Sequence, residues 1–350
     1  MTGEGPGGLR PRNESPAGVS SSHRHAAPGR PYSPRAQALG RTLGADRVTA
    51  EVVGAFGRAG IRSVLLKGPA IARWLYDDGA LRTYMDCDLL VPPDGFHRAE
   101  EILEELGFER EGLDAIPGDW PKHARSWRRE DGGNVDLHRT LVGVGVADSE
   151  VWRILSSDTE TMRVGGGDVD VPALSGRALI LALHAAKDGP RVPKVRHDLG
   201  HALERADLEV WEEAGRLAAR LGATPAFGAG LRVLPAGQEL AKELHLPPEI
   251  PVEAALRRRG GAPPLAVGIE WLAGEPGRKG NIAVVGRKFF PPPRFMRAWT
   301  PLARRGPLGL AAAYVWRPFW VLWHLVPALW VWGRARREAR RSRPPQERRP

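Results

Sequence analysis

The stretch RSVLLKGPAIARWLYDDGALRTYMDCDLLV, residues 62–91, decides the fold that this sequence predicts. Its apolar runs and turn residues indicate a strand, a tight turn, a helix, a connection and a second strand. The second strand carries Asp86 and Asp88, and residues two apart on a strand project from the same face. Both carboxylates are therefore expected on one face. The alternate residues are expected to face a core on the other side: Met85, Cys87 and Leu89.

Two interpretations of Asp86 and Asp88 follow from this placement. Neighbouring carboxylates repel each other unless a cation lies between them, and Mg²⁺ prefers carboxylate oxygens combined with substrate phosphates. The pair therefore indicates a metal and phosphate site. The alternative is the solvated face of an edge strand, which also shows alternating polar residues.

The segments on either side of the pair favour the metal interpretation. The first strand ends in LKGP, residues 66–69, and proline is tolerated in the first turn of a helix. A helix that begins after a glycine turn is expected to present free N–H groups to an anion, and Lys67 adds a positive charge. Further along, NVDLH, residues 134–138, repeats the alternating pattern and supplies a third carboxylate, Asp136, with His138 on the same face.

This ordered set of motifs resembles a bacterial group of uncharacterised nucleotidyltransferases within the polymerase-beta-like nucleotidyltransferase superfamily. The motifs are Leu66-Lys67-Gly68, Leu75-Tyr76, Leu81-Arg82, Asp86-Cys87-Asp88-Leu89-Leu90-Val91, Gly107-Phe108 and Val135-Asp136-Leu137-His138. They cover about residues 62–140, and weaker similarity reaches about Leu203. One departure is the Lys-Gly-Pro turn, where the superfamily usually has Gly-Ser or Gly-Gly.

The resemblance implies an α+β fold, with a small mixed β-sheet nucleotidyltransferase core, flanking helices and a mostly helical C-terminal region. It implies Mg²⁺ or Mn²⁺ as the cofactor, held by three aspartates that are also catalytic: Asp86, Asp88 and Asp136. The nucleotide-binding residues that it implies are Lys67, Gly68, Arg82, His138 and Lys187. For Arg82, pairing with an acid is preferred over phosphate contact, whereas for His138 a site role and a structural role stay equally open.

The sequence predicts six regions along the chain. They are a disordered basic tail (1–44), a catalytic domain (45–172), a helical domain (173–246), a Pro/Gly-rich irregular region (247–307), a Trp-rich apolar helical segment (308–333) and an Arg-rich tail (334–350). Ser175 is expected to cap the first helix of the helical domain. The resembling family has a histidine, a lysine and an aspartate in that domain that are expected to reach the nucleotide. Here these residues are His184, Lys187 and Asp198, and a core role is preferred for His184.

The formal net charge of +10 at pH 7 lies at the two ends of the chain. Residues 1–50 hold seven arginines against three acids, and residues 334–350 hold eight against two. The middle is therefore close to neutral, which argues against a nucleic-acid interpretation of the whole chain. Cys87 is the only cysteine, so no intramolecular disulfide can form, and the start of the chain lacks an apolar signal segment. A cytoplasmic location, with or without membrane association, is expected.

The segment from Leu308 to Trp332 is almost continuously apolar and holds five of the twelve tryptophans. Arg317 and two prolines interrupt it, and the uninterrupted run falls short of the ~20 residues that a spanning helix needs. Three interpretations stay open: a helix at the membrane interface, which the tryptophans and arginines favour, a helix packed on protein, and a membrane span.

The leading functional hypothesis is metal-dependent transfer of a nucleoside monophosphate from a nucleoside triphosphate (NTP), such as ATP, to a hydroxyl acceptor, with release of pyrophosphate. The acceptor can be a small molecule, a protein or an RNA end. The alternative is an inactive binding module with the same fold, acting at a membrane surface or on a biosynthetic partner. Nucleic-acid binding through the arginine tail ranks third, and sequence-specific DNA binding is not expected.

Overall fold

The computed structural model describes residues 33–77, 82–111, 123–257, 263–274, 286 and 289–342. Its strands are β1 (Val64–Leu65), β2 (Cys87–Leu90), β3 (Glu109–Arg110), β4 (Ala124–Arg128), β5 (Asn134–His138), β6 (Thr159–Val164) and β7 (Gly167–Pro172). They form one mixed sheet in the order β3-β4-β5-β2-β1-β7-β6. Strand β2 runs parallel to β5, whereas β1 runs antiparallel to β2 and parallel to β7. The predicted mixed sheet is confirmed.

Helices flank this sheet and make up the rest of the described chain. They are α1 (Pro34–Arg58), α2 (Pro69–Leu75), α3 (Phe96–Glu105), α4 (Asp148–Ser156), α5 (Leu174–Asp188), α6 (Pro193–Arg205), α7 (Leu208–Arg220), α8 (Thr224–Leu231), α9 (Pro235–Glu243), α10 (Val252–Arg257), α11 (Pro264–Gly274), α12 (Pro293–Trp299) and α13 (Gly306–Ser342). The predicted α+β class and the mostly helical C-terminal region are confirmed.

Two cores form because alternate strand residues leave the sheet on opposite sides. On one side α1 and α3 cover the sheet, and their buried contacts include Phe56, Leu89 and Leu137. On the other side α5 packs against the sheet, with Leu66 and Leu90 in the same core. Asp88 and Asp136 alternate with Leu89 and Leu137, so they leave the sheet on the α5 side.

The hairpin before the third aspartate forms as predicted. Strands β4 and β5 pair antiparallel around a turn in which Gly132 has a φ of 87°, and the Arg129 N–H donates to the Gly133 carbonyl at 2.9 Å. This register places Ser126 opposite Asp136. The turn therefore determines which β4 side chain lies beside the third carboxylate.

Three local predictions are wrong. Met85 is 54% exposed, because it precedes β2 and lies outside the strand alternation. Ser175 does not cap α5, since the helix begins one residue earlier, with Ala173 at the cap position. The disordered basic tail predicted over residues 1–44 is contradicted at residues 34–44, which belong to α1, whereas its residues 1–32 lie outside the described ranges. Helix α1 begins at Pro34 because the Ser33 hydroxyl accepts a hydrogen bond from the Ala36 N–H.

The region predicted as irregular over residues 247–307 contains α10, α11, α12 and a 3₁₀ turn at Pro301–Arg304. Helix α13 continues beyond the predicted end at residue 333 into the arginine-rich tail. It packs on α10, α11 and the 3₁₀ turn through one face. Within the described ranges, no helix has an apolar stretch long enough to cross a bilayer.

Candidate nucleotidyltransferase site

Two carboxylates meet at the centre of the sheet. The parallel register of β2 and β5 places Asp88 directly beside Asp136, and His138 follows two residues later on the same face. The ligand atoms of Asp88, Asp136 and His138 all lie within 4.8 Å of one another. Asp88 is almost fully buried, with 2% exposure, and Asp136 is half-buried. This group could hold a divalent metal ion, because carboxylate and imidazole donors are common metal ligands.

Asp86 lies at the mouth of this group. It is exposed, one residue before β2 begins, and it lines a cleft of about 450 Å³ together with Asp136. Ser126 and Lys194 line the same cleft. The structure thus places Asp86 and Asp136 on the lining of one opening, and buried Asp88 lies directly beside Asp136.

Lys67 is held against Asp88. Its Nζ lies 2.6 Å from Asp88 Oδ1, and His138 Nε2 lies 3.0 Å from the same oxygen. Burial alone would raise the pKa of Asp88, but the Lys67 ammonium and the His138 contacts outweigh burial and hold that pKa well below its usual range. Asp88 is therefore ionised across the physiological pH range, which a metal ligand requires.

Asp136 has the opposite electrostatic environment. Burial raises its pKa and the charge of Asp88 adds to this, although the Ser126 hydroxyl, which donates to Asp136 Oδ1 at 2.7 Å, lowers it in part. The net direction is upward from the ordinary value. A carboxylate with a raised pKa is a stronger base, so Asp136 is suited to accept a proton.

A second, smaller cavity of about 30 Å³ adjoins the carboxylates on the side of α5. Five cationic or imidazole side chains line it: Lys67, His123, His138, His184 and Lys187. Burial lowers the pKa of His123 to about 3 and that of His184 to about 4, with nearby positive charges adding to the effect, so both imidazoles are neutral at neutral pH. The structure thus places Lys67 and Lys187 on the lining of the same cavity.

The turn between β1 and α2 differs from the anion site that the sequence predicts. Pro69 has no N–H group, and the Ala70 N–H donates to the Lys67 carbonyl at 3.3 Å. Helix α2 is also only seven residues long. The prediction of free N–H groups at this turn is therefore wrong at its first two positions, and positive charge near the carboxylates comes from lysine side chains instead.

Gly68 nevertheless has a conformational role in this turn. Its φ of 60° and ψ of −119° lie in a region that residues with a Cβ rarely adopt. A Cβ there would lie 3.4 Å from the Tyr84 ring. Glycine is therefore the residue that this backbone path requires.

Replacement of Gly68 by alanine is expected to lower the free energy of unfolding by about 1–3 kcal/mol, the cost of a strained backbone conformation. Urea denaturation measures this change. The matched control is Gly57→Ala in α1, where a Cβ meets nothing within 4 Å and the backbone is helical. That control should be neutral or slightly stabilising. Equal effects of the two substitutions would contradict the requirement for glycine at position 68.

Arg82 pairs with an acid, as the preferred interpretation held. Its Nη2 lies 2.9 Å from Asp198 Oδ2 on α6, and both side chains are buried. The Arg82 guanidinium also donates to the Gly68 carbonyl at 3.2 Å, and the Tyr76 hydroxyl donates to Asp198 at 2.9 Å. Asp198 thus anchors the turn to the helical domain and does not lie free to meet a nucleotide.

Two polar residues of the site were not predicted. Ser126 donates to Asp136, and its position followed from the β4–β5 hairpin register, which the Asp131-Gly132-Gly133 turn signalled. Lys194 lies at the start of α6 and its Nζ donates to the Thr83 carbonyl at 3.1 Å. No local pattern marked Lys194, because its approach to the cleft depends on how α6 packs.

A model of the family of uncharacterised nucleotidyltransferases matches residues 33–236, which is more than half of the chain. The chain belongs to this family. The match includes the whole sheet and helices α1 to α8, so every site residue described above lies inside it. The protein is thus a member of the nucleotidyltransferase group that the motifs resembled. No curated protein sequence matches this nucleotidyltransferase.

Several solved structures are similar to this nucleotidyltransferase at low sequence identity. The antibiotic-resistance factor ANT(2'')-Ia shows 16% identity over 53% of this chain and 94% of that chain, with a TM-score of 0.37. The lincomycin-bound lincosamide antibiotic adenylyltransferase LnuA shows 12% identity over 45% and 94%, with a TM-score of 0.32. An antigenic nucleotidyltransferase-like protein from Paracoccidioides brasiliensis shows 15% identity over 51% and 92%, with a TM-score of 0.30.

Proposed function

We propose that this nucleotidyltransferase moves a nucleoside monophosphate from an NTP to a hydroxyl group, with Mg²⁺ or Mn²⁺ as its cofactor. The observation that supports this is the placement of Asp88 beside Asp136 on parallel strands, with Asp86 at the rim of the same cleft and Lys67 and Lys187 on the adjoining side. Carboxylates for a cation and ammonium groups for phosphates thus lie next to each other. We place the reaction in the cytoplasm, where NTPs are abundant.

The three aspartates would hold the divalent ion. Three carboxylates provide the oxygen ligands that Mg²⁺ and Mn²⁺ prefer, and the cleft leaves room for phosphate oxygens as further ligands. The bound ion supplies charge neutralisation on the phosphates and a fixed position for them. Lys67 keeps Asp88 ionised before the ion arrives, so the carboxylate is ready to bind it.

The transfer is a displacement at the α-phosphorus of the NTP. The acceptor oxygen forms a bond to this phosphorus, the bond from the phosphorus to the bridging oxygen breaks, and pyrophosphate leaves with that electron pair. Asp136 accepts the proton of the acceptor hydroxyl, because it lines the open cleft and, unlike Asp88, is not held by a lysine. Lys67 and Lys187 offset the negative charge of the phosphates as point charges.

The acceptor binds in the cleft shared by Asp86 and Asp136. A volume of about 450 Å³ falls in the range of small-molecule sites, about 300–1,000 Å³. The cleft also opens to solvent at Asp86, which is exposed. Small molecules, protein side chains and RNA ends that carry a hydroxyl group therefore remain the three acceptor classes to test.

The first experiment incubates the purified protein with each α-³²P-labelled NTP, with Mg²⁺ or Mn²⁺, in cell extract. Transfer of label to an acceptor by the native protein, and its loss in Asp86→Asn/Asp136→Asn, is the expected result. It would identify both the base and the class of acceptor. Metal-dependent nucleotide binding without transfer from any NTP would overturn the proposal and favour a binding module with the same fold.

Chelation provides an independent test of the cofactor. Excess EDTA is expected to reduce label transfer to background, because the aspartates then lack the cation that neutralises the phosphates. Addition of Mg²⁺ or Mn²⁺ in excess over EDTA should restore the rate. Calorimetric titration of each ion into the native protein and into Asp86→Asn/Asp136→Asn would show whether the loss lies in ion binding, since only the native protein should bind.

A further inference from the structure

Helix α13 presents two different faces along its 37 residues. The inner face packs on the protein through mostly small side chains: Gly309, Ala313, Arg317, Val321, Ala328, Ala335 and Ala339. The opposite face, here called the outer face, carries large apolar residues: Leu308, Val315, Trp316, Phe319, Leu322, Trp323, Val326, Leu329 and Trp330. Their spacing of three, four and seven residues places them on one side of the helix.

The outer face is exposed to solvent. Its residues range from 42% exposure at Leu329 to 87% at Leu308, and Trp323 is 80% exposed. Elsewhere in the described ranges, exposed large apolar residues are scattered singly or in pairs, which is ordinary for a protein surface. Nine on one helix face form a contiguous patch, and at 1.5 Å per residue the patch is about 33 Å long. Such a patch marks an interaction surface.

Positive charge continues this face toward the end of the helix. Beyond Trp330, four exposed arginines lie on the same side of α13: Arg334, Arg337, Arg340 and Arg341. The Arg334 guanidinium lies 5.6 Å from the centre of the Trp330 ring, so the aromatic and basic parts adjoin. Glu338 is the only acid between Arg334 and Ser342. A partner that covers the whole face must therefore be apolar along most of its length and negatively charged at one end.

We infer that the outer face of α13 binds the surface of an anionic lipid bilayer, with the helix lying along it. Tryptophan and phenylalanine side chains suit the boundary between headgroups and acyl chains, and arginines are attracted to acidic headgroups. The helix lies along the bilayer and does not cross it, because its apolar stretch is too short and its inner face packs on α10 and α11. This inference does not depend on the proposed function.

A second copy of the chain fits the outer face less well than a bilayer does. Parallel pairing of two α13 helices would place the arginines of one copy against those of the other, and antiparallel pairing along the whole face would place them against the apolar residues at its start, Leu308 and Val315. The face also carries bulky aromatic residues, and Pro318 and Pro327 lie within the helix. Coiled-coil seams use Leu, Ile and Val at their repeating positions instead.

Vesicle flotation of the full-length protein tests the inference. The protein is mixed with vesicles of phosphatidylcholine alone or of phosphatidylcholine with phosphatidylglycerol. It is expected to float with the anionic vesicles and to lose most of this binding at high salt, because the arginine contacts are screened. Absence of binding to anionic vesicles would overturn the inference.

Two sets of substitutions separate the apolar and the basic contributions. The apolar variant is Trp323→Ser/Val326→Ser/Trp330→Ser, and the basic variant is Arg334→Glu/Arg337→Glu/Arg340→Glu/Arg341→Glu. Each variant is expected to bind anionic vesicles about tenfold or more weakly than the native protein. The control Leu39→Ser/Leu43→Ser/Leu208→Ser removes three exposed apolar residues from α1 and α7 and should bind as the native protein does. Circular dichroism confirms that each variant is folded.

Sedimentation of the same proteins without lipid completes the test. The inference expects the native chain to stay in one oligomeric state that the outer-face substitutions do not change. A dimer that dissociates in the apolar variant, together with unchanged vesicle binding in that variant, would instead assign the outer face to a second copy.

Discussion

Asparagine at position 136 is expected to lower kcat/KM for nucleotidyl transfer by about a thousandfold or more, with little loss of stability. The amide keeps the size of the carboxylate, and its oxygen can still accept the hydrogen bond from the Ser126 hydroxyl. It carries no negative charge for a cation and does not accept the proton of the acceptor hydroxyl. Loss of a general base alone costs about 10²–10⁴-fold, and weaker cation binding adds to that loss.

The measurement is the initial rate of label transfer to the acceptor found in extract, together with the melting temperature of each variant. Asp86→Asn should show a comparable loss of rate, since Asp86 lies at the rim of the same cleft. The matched control is Asp168→Asn in β7, an exposed carboxylate that pairs with Arg163 at 3.0 Å. In the sheet, β1 lies between β7 and the strand β2 that carries Asp88. An Asp136→Asn variant with a tenth or more of the native rate would contradict the role of Asp136.

Asp88 is less suitable for this comparison. Its substitution would leave the Lys67 ammonium, which is four-fifths buried, without the carboxylate that lies 2.6 Å away. An uncompensated buried charge is strongly destabilising. A loss of activity in Asp88→Asn would therefore mix unfolding with chemistry, whereas Asp86 and Asp136 separate the two.

The local pattern of the sequence predicted the centre of the site because short-range rules determine it. Period-two alternation placed Asp88 and Asp136 on the same sides of their strands, and the Asp131-Gly132-Gly133 turn produced the hairpin. Met85 shows the limit of this rule, since alternation predicts burial only where the strand has formed.

Long-range contacts of the site had no comparable signal. Arg82 and Asp198 lie 116 residues apart in the chain, and their meeting depends on how α6 packs beside α2. The contact of Lys67 with Asp88 likewise depends on the side-chain conformation that satisfies a buried carboxylate. The sequence around Lys67 and Arg82 gives no indication of such partners, because the long side chains of lysine and arginine reach many positions.

The burial of Arg82 and Asp198 leads to the second large expected effect, which concerns stability. Arg82→Ala leaves the buried Asp198 carboxylate without its paired cation, with the hydrogen bond from the Tyr76 hydroxyl remaining, and also removes the hydrogen bond to the Gly68 carbonyl. Removal of one partner from a buried ion pair costs about 3–5 kcal/mol. Urea denaturation of Arg82→Ala at neutral pH should show a loss of this size in the free energy of unfolding.

A neighbouring exposed pair supplies the control for this prediction. Arg205 on α6 lies 2.6 Å from Asp77, which follows α2. This pair therefore joins the same two parts of the chain as Arg82 and Asp198 do. In contrast to Asp198, however, the Asp77 side chain is 87% exposed. Because water solvates both partners, Arg205→Ala should cost no more than about 1 kcal/mol. The difference between the two arginines then measures the effect of burial and not of the connection alone.

The double variant Arg82→Met/Asp198→Leu tests whether charge or packing holds the turn. With both charges removed, no buried ion lacks a partner, so the double variant should be more stable than either single variant. Recovery is expected to be partial, since the Tyr76 hydroxyl loses its acceptor. If Arg82→Ala costs no more than Arg205→Ala, the pair does not anchor the Gly68 turn. If the double variant regains stability but its KM for the NTP is higher than that of the native protein, Arg82 positions that turn for the nucleotide.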